Sequence, residues 1–494
     1  MRIPSPISRR APRALLATFA FAGAVATPAV ALAAPRPQPS RSPISVTGSL
    51  VQLDGASGCV VDRSARPRAR RGCAPVRALS GPGPFLGSNA IAVSPDGRNV
   101  YVAASDSDAI AIFTRNARTG RLTQRSGSAG CIAARGASGC TSARGLDGPN
   151  SLAVSADGRN VYATSLKSDA VVALRRNGST GALSQLPGVA GCIAGRVPVA
   201  DCATGRGIAG PDVVTVSPDG KNVYVGSFTG NALAVFARDA SAGALTQPAD
   251  ASGCLVNAAT DGCTTVLALG APEGMAISGD GDNVYVATAL SNALLVLTRN
   301  ASTGALTQAA DGTGCIVNAA LAGCTTGLWL GGANAVAVSP DDGDVYVTSL
   351  TSNSLTSFTR AAGSGTLTQQ SGTSACVIYV LAVGCSLGRA LSEPEGLAVA
   401  PDGATVYAAA FGSGALDVFD RAAGSGALMQ KPRRTGCMTS GPIPDCTPAR
   451  ALRGVSSIAL SPDGEHVYAA AFRSDAVAVF KRVTKAMTRA RGTR

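Results

Sequence analysis

The stretch Ser94-Pro95-Asp96-Gly97-Arg98-Asn99-Val100-Tyr101-Val102 decides the fold, because variants of it return six more times along the chain. Pro presets the backbone of a tight turn and Gly accepts a positive φ, so Ser-Pro-Asp-Gly predicts a hairpin between two strands. The tyrosines that mark the repeat are spaced by 61 or 62 residues, at Tyr101, Tyr162, Tyr224, Tyr285, Tyr346, Tyr407 and Tyr468.

Each unit predicts four short antiparallel strands. In the first unit they cover residues 90–93, 100–103, 109–113 and 122–124, with turn residues between them. Seven such units predict an all-β fold, a seven-bladed β-propeller with four antiparallel strands per blade. A solenoid is the alternative for a repeat of this kind, and it needs distinct capping repeats.

The two ends of the repeat array favour the propeller. The last unit has a degraded fourth strand at 483–488, whereas residues 47–52 read Thr-Gly-Ser-Leu-Val-Gln, like the fourth strand of the other units. We therefore expect an N-terminal strand to complete the last blade and close the ring, which leaves no open end.

The N-terminal segment predicts export. Basic residues precede an apolar stretch at 14–30, and Ala31-Leu32-Ala33 fits a cleavage site. We expect a signal peptide at 1–33, a linker at 34–43, the propeller at 44–482 and a basic tail at 483–494. Arg9-Arg10 leaves both the general secretory and the twin-arginine routes open. The expected location is secreted, either extracellular or in the periplasm or cell envelope.

The net charge of +13 does not predict a nucleic-acid-binding protein. Its excess is concentrated in the signal segment, in the loop 59–73 and in the tail, so the propeller body is close to neutral. A nucleic-acid binder needs a basic stripe on its folded surface.

No segment after the signal has about 20 consecutive apolar residues, so no membrane span is expected. We expect a monomer.

The 14 cysteines fall into seven local pairs, one in each repeat. An even count and an export signal predict disulfides, whereas two Cys per loop without His do not form a four-ligand metal set. The pairs stand between the fourth strand of one blade and the first strand of the next, where they predict stiffened surface loops. The pairs are Cys59–Cys73, Cys131–Cys140, Cys192–Cys202, Cys254–Cys263, Cys315–Cys324, Cys376–Cys385 and Cys437–Cys446.

The repeat resembles the seven-bladed lactonase family, which includes 6-phosphogluconolactonase-type and carboxymuconate-cyclase-type proteins, and it is similar to YVTN-repeat propellers. The resemblance rests on Ser-Pro-Asp-Gly-x-x-Val-Tyr-Val, a strand ending Phe-x-Arg, and Thr-Gly-x-Leu, and covers about residues 44–482. It implies lactone chemistry, with a histidine, arginines and a glutamate in cyclase-type members. The one histidine here, His466, occupies a turn position and is predicted to be a surface residue, so the family's histidine is not carried over to it.

A ring of polar residues is predicted around the mouth of the central channel. They stand twelve residues before each tyrosine, at the entry to the innermost strand: Asn89, Asn150, Asp212, Glu273, Asn334, Glu395 and Ser456. Oxygen groups that converge there would hold Ca²⁺ through Asp212, Glu273 and Glu395, or hydrogen-bond a small polar or lactone ligand. The structural alternative is that they satisfy neighbouring backbone groups. No cofactor other than calcium is indicated.

Two arginine sets complete the candidates. The first set stands four residues after the second Cys of a pair: Arg77, Arg144, Arg206, Arg389 and Arg450. These arginines are predicted to approach the same mouth and bind a carboxylate or phosphate. The alternative is that they form ion pairs or are solvated. The second set closes the third strand of every unit, and with the turn aspartates it predicts a repeated structural ion pair.

Two functions remain open. The first is an exported lactonase-like propeller whose Asp212, Glu273 or Glu395 activates water, directly or through a metal. The second is a non-catalytic propeller of the cell surface that binds protein or glycan. The ring favours neither, since it varies in residue type yet stays polar in every unit.

Overall fold

The Ser-Pro-Asp-Gly stretch forms the predicted hairpin turn. Ser94 Oγ accepts from the backbone N–H of Asn99 at 3.0 Å and donates to Asp96 Oδ1 at 2.5 Å. Asp96 Oδ1 also accepts from the N–H of Arg98. Short side chains that bond their own turn in this way replace the ladder bonds lost where the chain reverses.

The computed structural model describes residues 47–67, 70–83, 89–136, 139–260 and 262–484. The predicted signal peptide, the linker and residues 485–494 of the tail lie outside them. The described residues all belong to one compact unit, Ser45–Arg494. They form seven sheets, which confirms the all-β seven-bladed β-propeller.

The first three strands of each blade are antiparallel and follow one another in order from the centre outward. First strands of neighbouring blades contact each other around the ring. The first strands are Ile91–Val93, Pro149–Val154, Pro211–Val216, Pro272–Ile277, Ala333–Val338, Pro394–Val399 and Val455–Leu460. The second strands are Asn99–Ala104, Asn160–Ser165, Asn222–Ser227, Asn283–Thr288, Asp344–Ser349, Thr405–Ala410 and His466–Ala471. The third strands are Ala109–Arg115, Ala170–Arg176, Ala232–Arg238, Ala293–Arg299, Ser354–Arg360, Ala415–Arg421 and Ala476–Arg482.

The outer part of each blade differs from the prediction of four strands, because the fourth strand has two segments. Both segments pair with the third strand, and a turn separates them. The segments that come first in the chain are Leu50–Gln52, Leu122–Gln124, Leu183–Gln185, Leu245–Thr246, Leu306–Gln308, Leu367–Gln369 and Leu428–Gln430. The cysteine-bearing segments are Cys59–Asp62, Cys131–Ala134, Cys192–Ala194, Cys254–Val256, Cys315–Val317, Cys376–Ile378 and Cys437–Thr439.

A fifth, parallel strand forms the outer edge of every blade, which the repeat pattern did not predict. These edge strands are only two or three residues long: Ala74–Val76, Thr141–Ala143, Ala203–Thr204, Thr264–Thr265, Thr325–Thr326, Ser386–Leu387 and Thr447–Pro448. Short 3-10 turns lie between strands at Gly55–Gly58, Ser105–Ser107, Gly127–Gly130, Gly188–Gly191, Ala251–Gly253, Gly372–Ser374, Arg433–Thr435 and Phe472–Ser474.

All seven predicted disulfides are present, and they join the fourth strand to this edge strand. Cys192 begins its segment and Cys202 immediately precedes Ala203–Thr204, with Cα atoms 4.8 Å apart. The disulfides therefore fasten the outer edge within a blade, whereas the sequence suggested loops between blades. A loop of about ten residues closed in this way stabilises the fold by about 2.7 kcal/mol in the chain-entropy estimate.

The ring closes through the N-terminal strand, as predicted. Leu50 pairs with Arg482 and Gln52 with Phe480, so residues 50–52 complete the seventh blade. Cys59–Asp62 pairs with the same third strand and Ala74–Val76 forms its edge. The last blade is therefore built from both ends of the propeller.

Neighbouring blades are held together by a buried clamp at every junction. Arg176 of blade 2 donates to Asp96 Oδ2 at 2.6 Å and to the hydroxyl of Tyr101 at 2.8 Å, both in blade 1. The arginine is buried and the seven tyrosines are fully buried. The predicted Asp–Arg pairs are present, and they link adjacent blades: Arg115–Asp463, Arg176–Asp96, Arg238–Asp157, Arg299–Asp219, Arg360–Asp280, Arg421–Asp341 and Arg482–Asp402.

His466 belongs to this clamp, so its prediction as a surface residue was wrong. It is 0 % exposed, and Arg115 Nη2 lies 2.9 Å from its Nδ1. Asn99 takes the same part for Arg176 in the neighbouring junction. His466 follows the hairpin turn between the first two strands in sequence, but the next blade covers it.

Candidate functional site

The polar ring predicted around the channel lies on backbone irregularities. In six blades the pairing of the first two strands shifts by one residue at the ring position, as it does between Pro149 and Ser151 around Asn150. A bulge of this kind turns the extra side chain away from its usual direction, and bulges are common beside functional sites. The residues at the shifts are Asn150, Asp212, Glu273, Asn334, Glu395 and Ser456.

These six residues lie inside the ring of first strands, and each is at most 5 % exposed. The sequence placed them around an open mouth, so their burial is a correction. Asn89 alone is exposed, because it precedes the shorter first strand Ile91–Val93. The close approach of the strands explains the glycines beside two acids. A methyl group on Gly274 would lie 2.5 Å from the carbonyl oxygen of Asn334, in the next blade.

The amide members of the ring are held by the protein itself. Thr164 Oγ1 donates to Asn150 Oδ1 at 2.8 Å, and Thr348 Oγ1 donates to Asn334 Oδ1 at 2.9 Å. Asn334 Nδ2 also donates to the carbonyl of Pro394 at 3.0 Å. Ser456 Oγ donates to the carbonyl of Gly83 at 3.0 Å. These bonds match the structural alternative stated for the ring.

The acidic members have different surroundings. Where Asn150 and Asn334 face a threonine, the equivalent second-strand residues in the acidic blades are Gly226, Ala287 and Ala409, which offer no hydroxyl. Asp212 Oδ1 accepts from Asn150 Nδ2 at 2.6 Å. Within the described residues, Asp212 Oδ2 and both carboxyl oxygens of Glu273 have no hydrogen-bond partner.

Burial makes these carboxyl groups weak acids, and repulsion from neighbouring carboxylates adds to the effect at Glu273. Burial raises the pKa of Asp212 to about 8, against the smaller opposing effect of the bond from Asn150. Burial, together with the smaller effect of the charges of Asp212 and Glu395, raises the pKa of Glu273 to about 9. Groups this perturbed by a low-dielectric site are candidates for acid–base chemistry. Near neutral pH both groups carry a proton and can donate a hydrogen bond.

The calcium hypothesis has less support than the acid pair. Among the residues that the structure describes, no three His, Cys, Asp or Glu side chains are grouped so that they could hold a metal ion. The charges of Asp212 and Glu395 act on Glu273, but within the described residues the three acids are not grouped as a set of metal ligands. Calcium at these residues stays a prediction.

The arginines expected at the channel mouth lie at the outer side of the blades. Arg206 donates through its backbone N–H to Gln247 Oε1 at 2.8 Å, and its Nη2 donates to the carbonyl of Asp250 at 2.8 Å. The edge strand carries the chain outward before these residues, which is why they contact the split fourth strand of the next blade. The same backbone or guanidinium bonds hold Arg77, Arg144, Arg389 and Arg450.

Sequence reasoning missed the distinction within the ring. Its signal was present two residues after the repeat tyrosine in the five blades with a buried amide or acid: Thr164 and Thr348 accompany amides, whereas Gly226, Ala287 and Ala409 accompany acids. That correlation acquires a meaning only when the pairing of the first two strands is known.

A closed ring of seven such blades around buried polar side chains defines a seven-bladed β-propeller. A profile of the family described as "Lactonase, 7-bladed beta-propeller" matches residues 87–192, 197–316 and 272–443. The chain therefore belongs to this lactonase family.

Solved structures show the same fold at low sequence identity. The periplasmic gluconolactonase PpgL of Pseudomonas aeruginosa is 18 % identical, with 81 % of this chain and 95 % of that chain covered and a TM-score of 0.50. Hydrazine synthase of Kuenenia stuttgartiensis is also 18 % identical, with 82 % and 98 % covered and a TM-score of 0.50. Comparison with curated proteins found no match. The described residues contain no helix long and apolar enough to cross a membrane.

Proposed function

We propose that this protein is an exported lactonase-like propeller that binds a small polar or lactone ligand in its channel and hydrolyses a lactone there. The observation that carries the proposal is the pair Asp212 and Glu273, two buried carboxyl groups with pKa values of about 8 and about 9 in adjacent blades. Membership of the lactonase family supports the same chemistry. Export is supported by seven disulfides, which need an oxidising compartment.

The two carboxyl groups divide the chemistry by their pKa values. Asp212, the stronger acid, loses its proton first and takes a proton from water, whose oxygen adds to the lactone carbonyl carbon. Glu273 keeps its proton and donates a hydrogen bond to the carbonyl oxygen as negative charge develops there. The C–O bond of the lactone ring then breaks, and the leaving alkoxide takes the proton held by Asp212. Glu395 lies close enough to raise the pKa of Glu273 and keeps that group protonated.

The test is a hydrolysis screen with γ- and δ-lactones of sugar acids, with and without a phosphate group. We expect Glu273→Gln and Asp212→Asn each to lower kcat/KM by 100-fold or more, in line with the usual contribution of an acid–base group. Glu465 is an exposed carboxylate in the turn between the first two strands of blade 7. Glu465→Gln is the matched control and should keep full activity. An EDTA arm tests calcium, and activity that survives both ring substitutions would remove this site.

A non-catalytic propeller that recognises protein or glycan is the second candidate. It is favoured by an uncharged apolar tip in the Cys376–Cys385 loop, where Leu381 is 75 % and Val383 is 97 % exposed. Exposed apolar clusters of this kind mark interaction surfaces. If the lactone screen is negative, Leu381→Ser with Val383→Ser should abolish binding to purified cell-envelope protein or glycan, while wild-type protein binds.

A further inference from the structure

A cavity lies on the face formed by the turns between second and third strands, at blade 7. It has a volume of about 1130 Å³ and none of its lining residues belongs to the polar ring. Its lining carries five arginines and two aspartates: Arg66, Arg71, Arg450, Arg453, Arg473, Asp106 and Asp475. The cavity therefore has an excess of positive charge, although the propeller body as a whole is close to neutral.

The arginines reach the cavity from three separate parts of the chain. Arg66 and Arg71 belong to the loop Cys59–Cys73, whose cysteines are 14 residues apart, against 9 or 10 in the other blades. Arg453 precedes the first strand of blade 7, and Arg473 lies in the turn after its second strand. The longer loop and two separate positions in blade 7 thus each bring positive charge to the cavity.

Two of these arginines break the sevenfold repeat. The backbone N–H of Arg453 donates to Ser474 Oγ, and the same bond occurs at five other junctions. The donors there are Ser80, Asp147, Gly270, Gly331 and Ser392, so arginine is found only in blade 7 among them. The turn residue equivalent to Arg473 is Gly412 in blade 6 and Thr351 in blade 5. The fold itself does not require either arginine.

The charges are not neutralised by the protein. Within the described residues, Arg66, Arg71, Arg453 and Arg473 form no ion pair with a carboxylate. Asp475 Oδ1 instead accepts from the hydroxyl of Ser80 at 3.0 Å and the N–H of Gly81 at 2.9 Å. The guanidinium carbon of Arg473 lies 4.3 Å from the centre of the Phe411 ring, which holds this side chain in place.

We propose that this cavity is a binding site for a multivalent oxyanion, a small molecule that carries two or more phosphate or carboxylate groups. Planar guanidinium groups bind both groups through paired hydrogen bonds. Several guanidinium groups around one cavity, with little competing acid, favour a ligand with more than one negative charge. The site is separate from the channel, so it serves to bind or position an anionic ligand and does not depend on lactone hydrolysis.

Calorimetric titration of the full chain at low ionic strength tests the proposal with two probes, inorganic pyrophosphate and citrate. We expect wild-type protein to bind at least one probe, and the tighter probe identifies phosphate or carboxylate as the recognised group. Arg453→Ser with Arg473→Thr, which restores residues found in blades 6 and 5, should weaken binding tenfold or more. Arg118→Ser with Arg121→Ser, exposed arginines of another turn, should leave it unchanged.

Protection from phenylglyoxal, read by mass spectrometry on wild-type protein, provides a measurement that needs no variant. The bound probe should slow modification of Arg453 and Arg473 and leave Arg118 and Arg121 as reactive as before. No binding of either probe, an equal loss in the control variant, or uniform protection of all four arginines would each overturn the proposal. These outcomes do not depend on lactone hydrolysis, so they are distinct from a failure of the channel site.

Discussion

Arg115 of blade 1 contacts His466 of blade 7 across the junction that closes the ring, with its Nη2 2.9 Å from His466 Nδ1. The same guanidinium nitrogen donates to Asp463 at 2.7 Å, so the imidazole is one acceptor in a shared clamp. Elsewhere in the ring an asparagine oxygen has this role, as Asn99 has for Arg176. The lone histidine of the chain is therefore a structural acceptor between blades.

This placement predicts a specific response of stability to acid. Burial, together with the smaller effect of the charge of Arg115, lowers the pKa of His466 to about 4. The neutral form stabilises the folded state above a pH of about 6.5, and this contribution is lost as the pH falls towards 4, by about 1.4 kcal/mol per pH unit. We expect His466→Asn to unfold with a smaller loss of stability between pH 7 and pH 5. Denaturant titrations at both pH values measure it, and identical pH dependence in both proteins would contradict it.

The clamp predicts a large loss of stability when its arginine is removed. Arg299 has a side chain 1 % exposed and donates to Asp219, Asn222 and the hydroxyl of Tyr224. Arg299→Met leaves these buried acceptors without a donor, which should lower the free energy of unfolding by about 3 kcal/mol. Thermal or urea unfolding tests this. Arg121→Met, an exposed arginine, should change stability by less than about 0.5 kcal/mol.

A buried acid outside the channel predicts a stabilising substitution. Asp417 lies in the third strand of blade 6, and Gln430 donates to its Oδ1 at 2.8 Å, while Oδ2 has no hydrogen-bond partner within the described residues. Burial raises its pKa well above the usual value, against the opposing charge of Arg389 and the bond from Gln430. The folded state therefore loses stability as the pH rises above the ordinary aspartate pKa of about 4.

We expect Asp417→Asn to raise the free energy of unfolding at pH 8, by about 1.4 kcal/mol for each pH unit over which the wild type has lost stability. The gain should shrink towards zero at pH 4, because both side chains are then neutral. A urea series between pH 4 and pH 8 measures this trend. A variant that is less stable at pH 8 would show that the aspartate is used as an anion.

The channel acids predict the pH dependence of hydrolysis. Because Asp212 must be ionised and Glu273 protonated, kcat/KM should rise as the pH approaches about 8 and fall above about 9. Glu273→Gln should remove the alkaline fall along with most of the activity, since Gln cannot ionise. Initial rates corrected for spontaneous lactone hydrolysis give the profile. A flat profile from pH 6 to pH 10 would exclude this division of roles.

The repeat in the sequence was sufficient to predict the propeller, its seven blades, its closure and its disulfide pairs. The reason is that these features depend on local signals that recur: a turn rich in Ser, Pro, Asp and Gly, short strands at a constant spacing, and cysteines a few residues apart. The exchange of Leu50–Gln52 into blade 7 was predictable too, because a missing strand at one end has its match at the other.

Only the tertiary structure decided where the side chains of the candidate sites lie. The five arginines predicted at the channel are on the outside because an edge strand of two or three residues, too short to show a period, carries the chain outward. His466 is buried because a neighbouring blade covers its turn. A one-residue bulge turned both the amides and the acids of the ring inward in six blades, and the second strand then separated them, because it offers a threonine to Asn150 and Asn334 but no hydroxyl to the acids. Spacing along the chain determines the strands, whereas contacts between blades, which join residues about 60 to 80 positions apart, determine charge, burial and pKa.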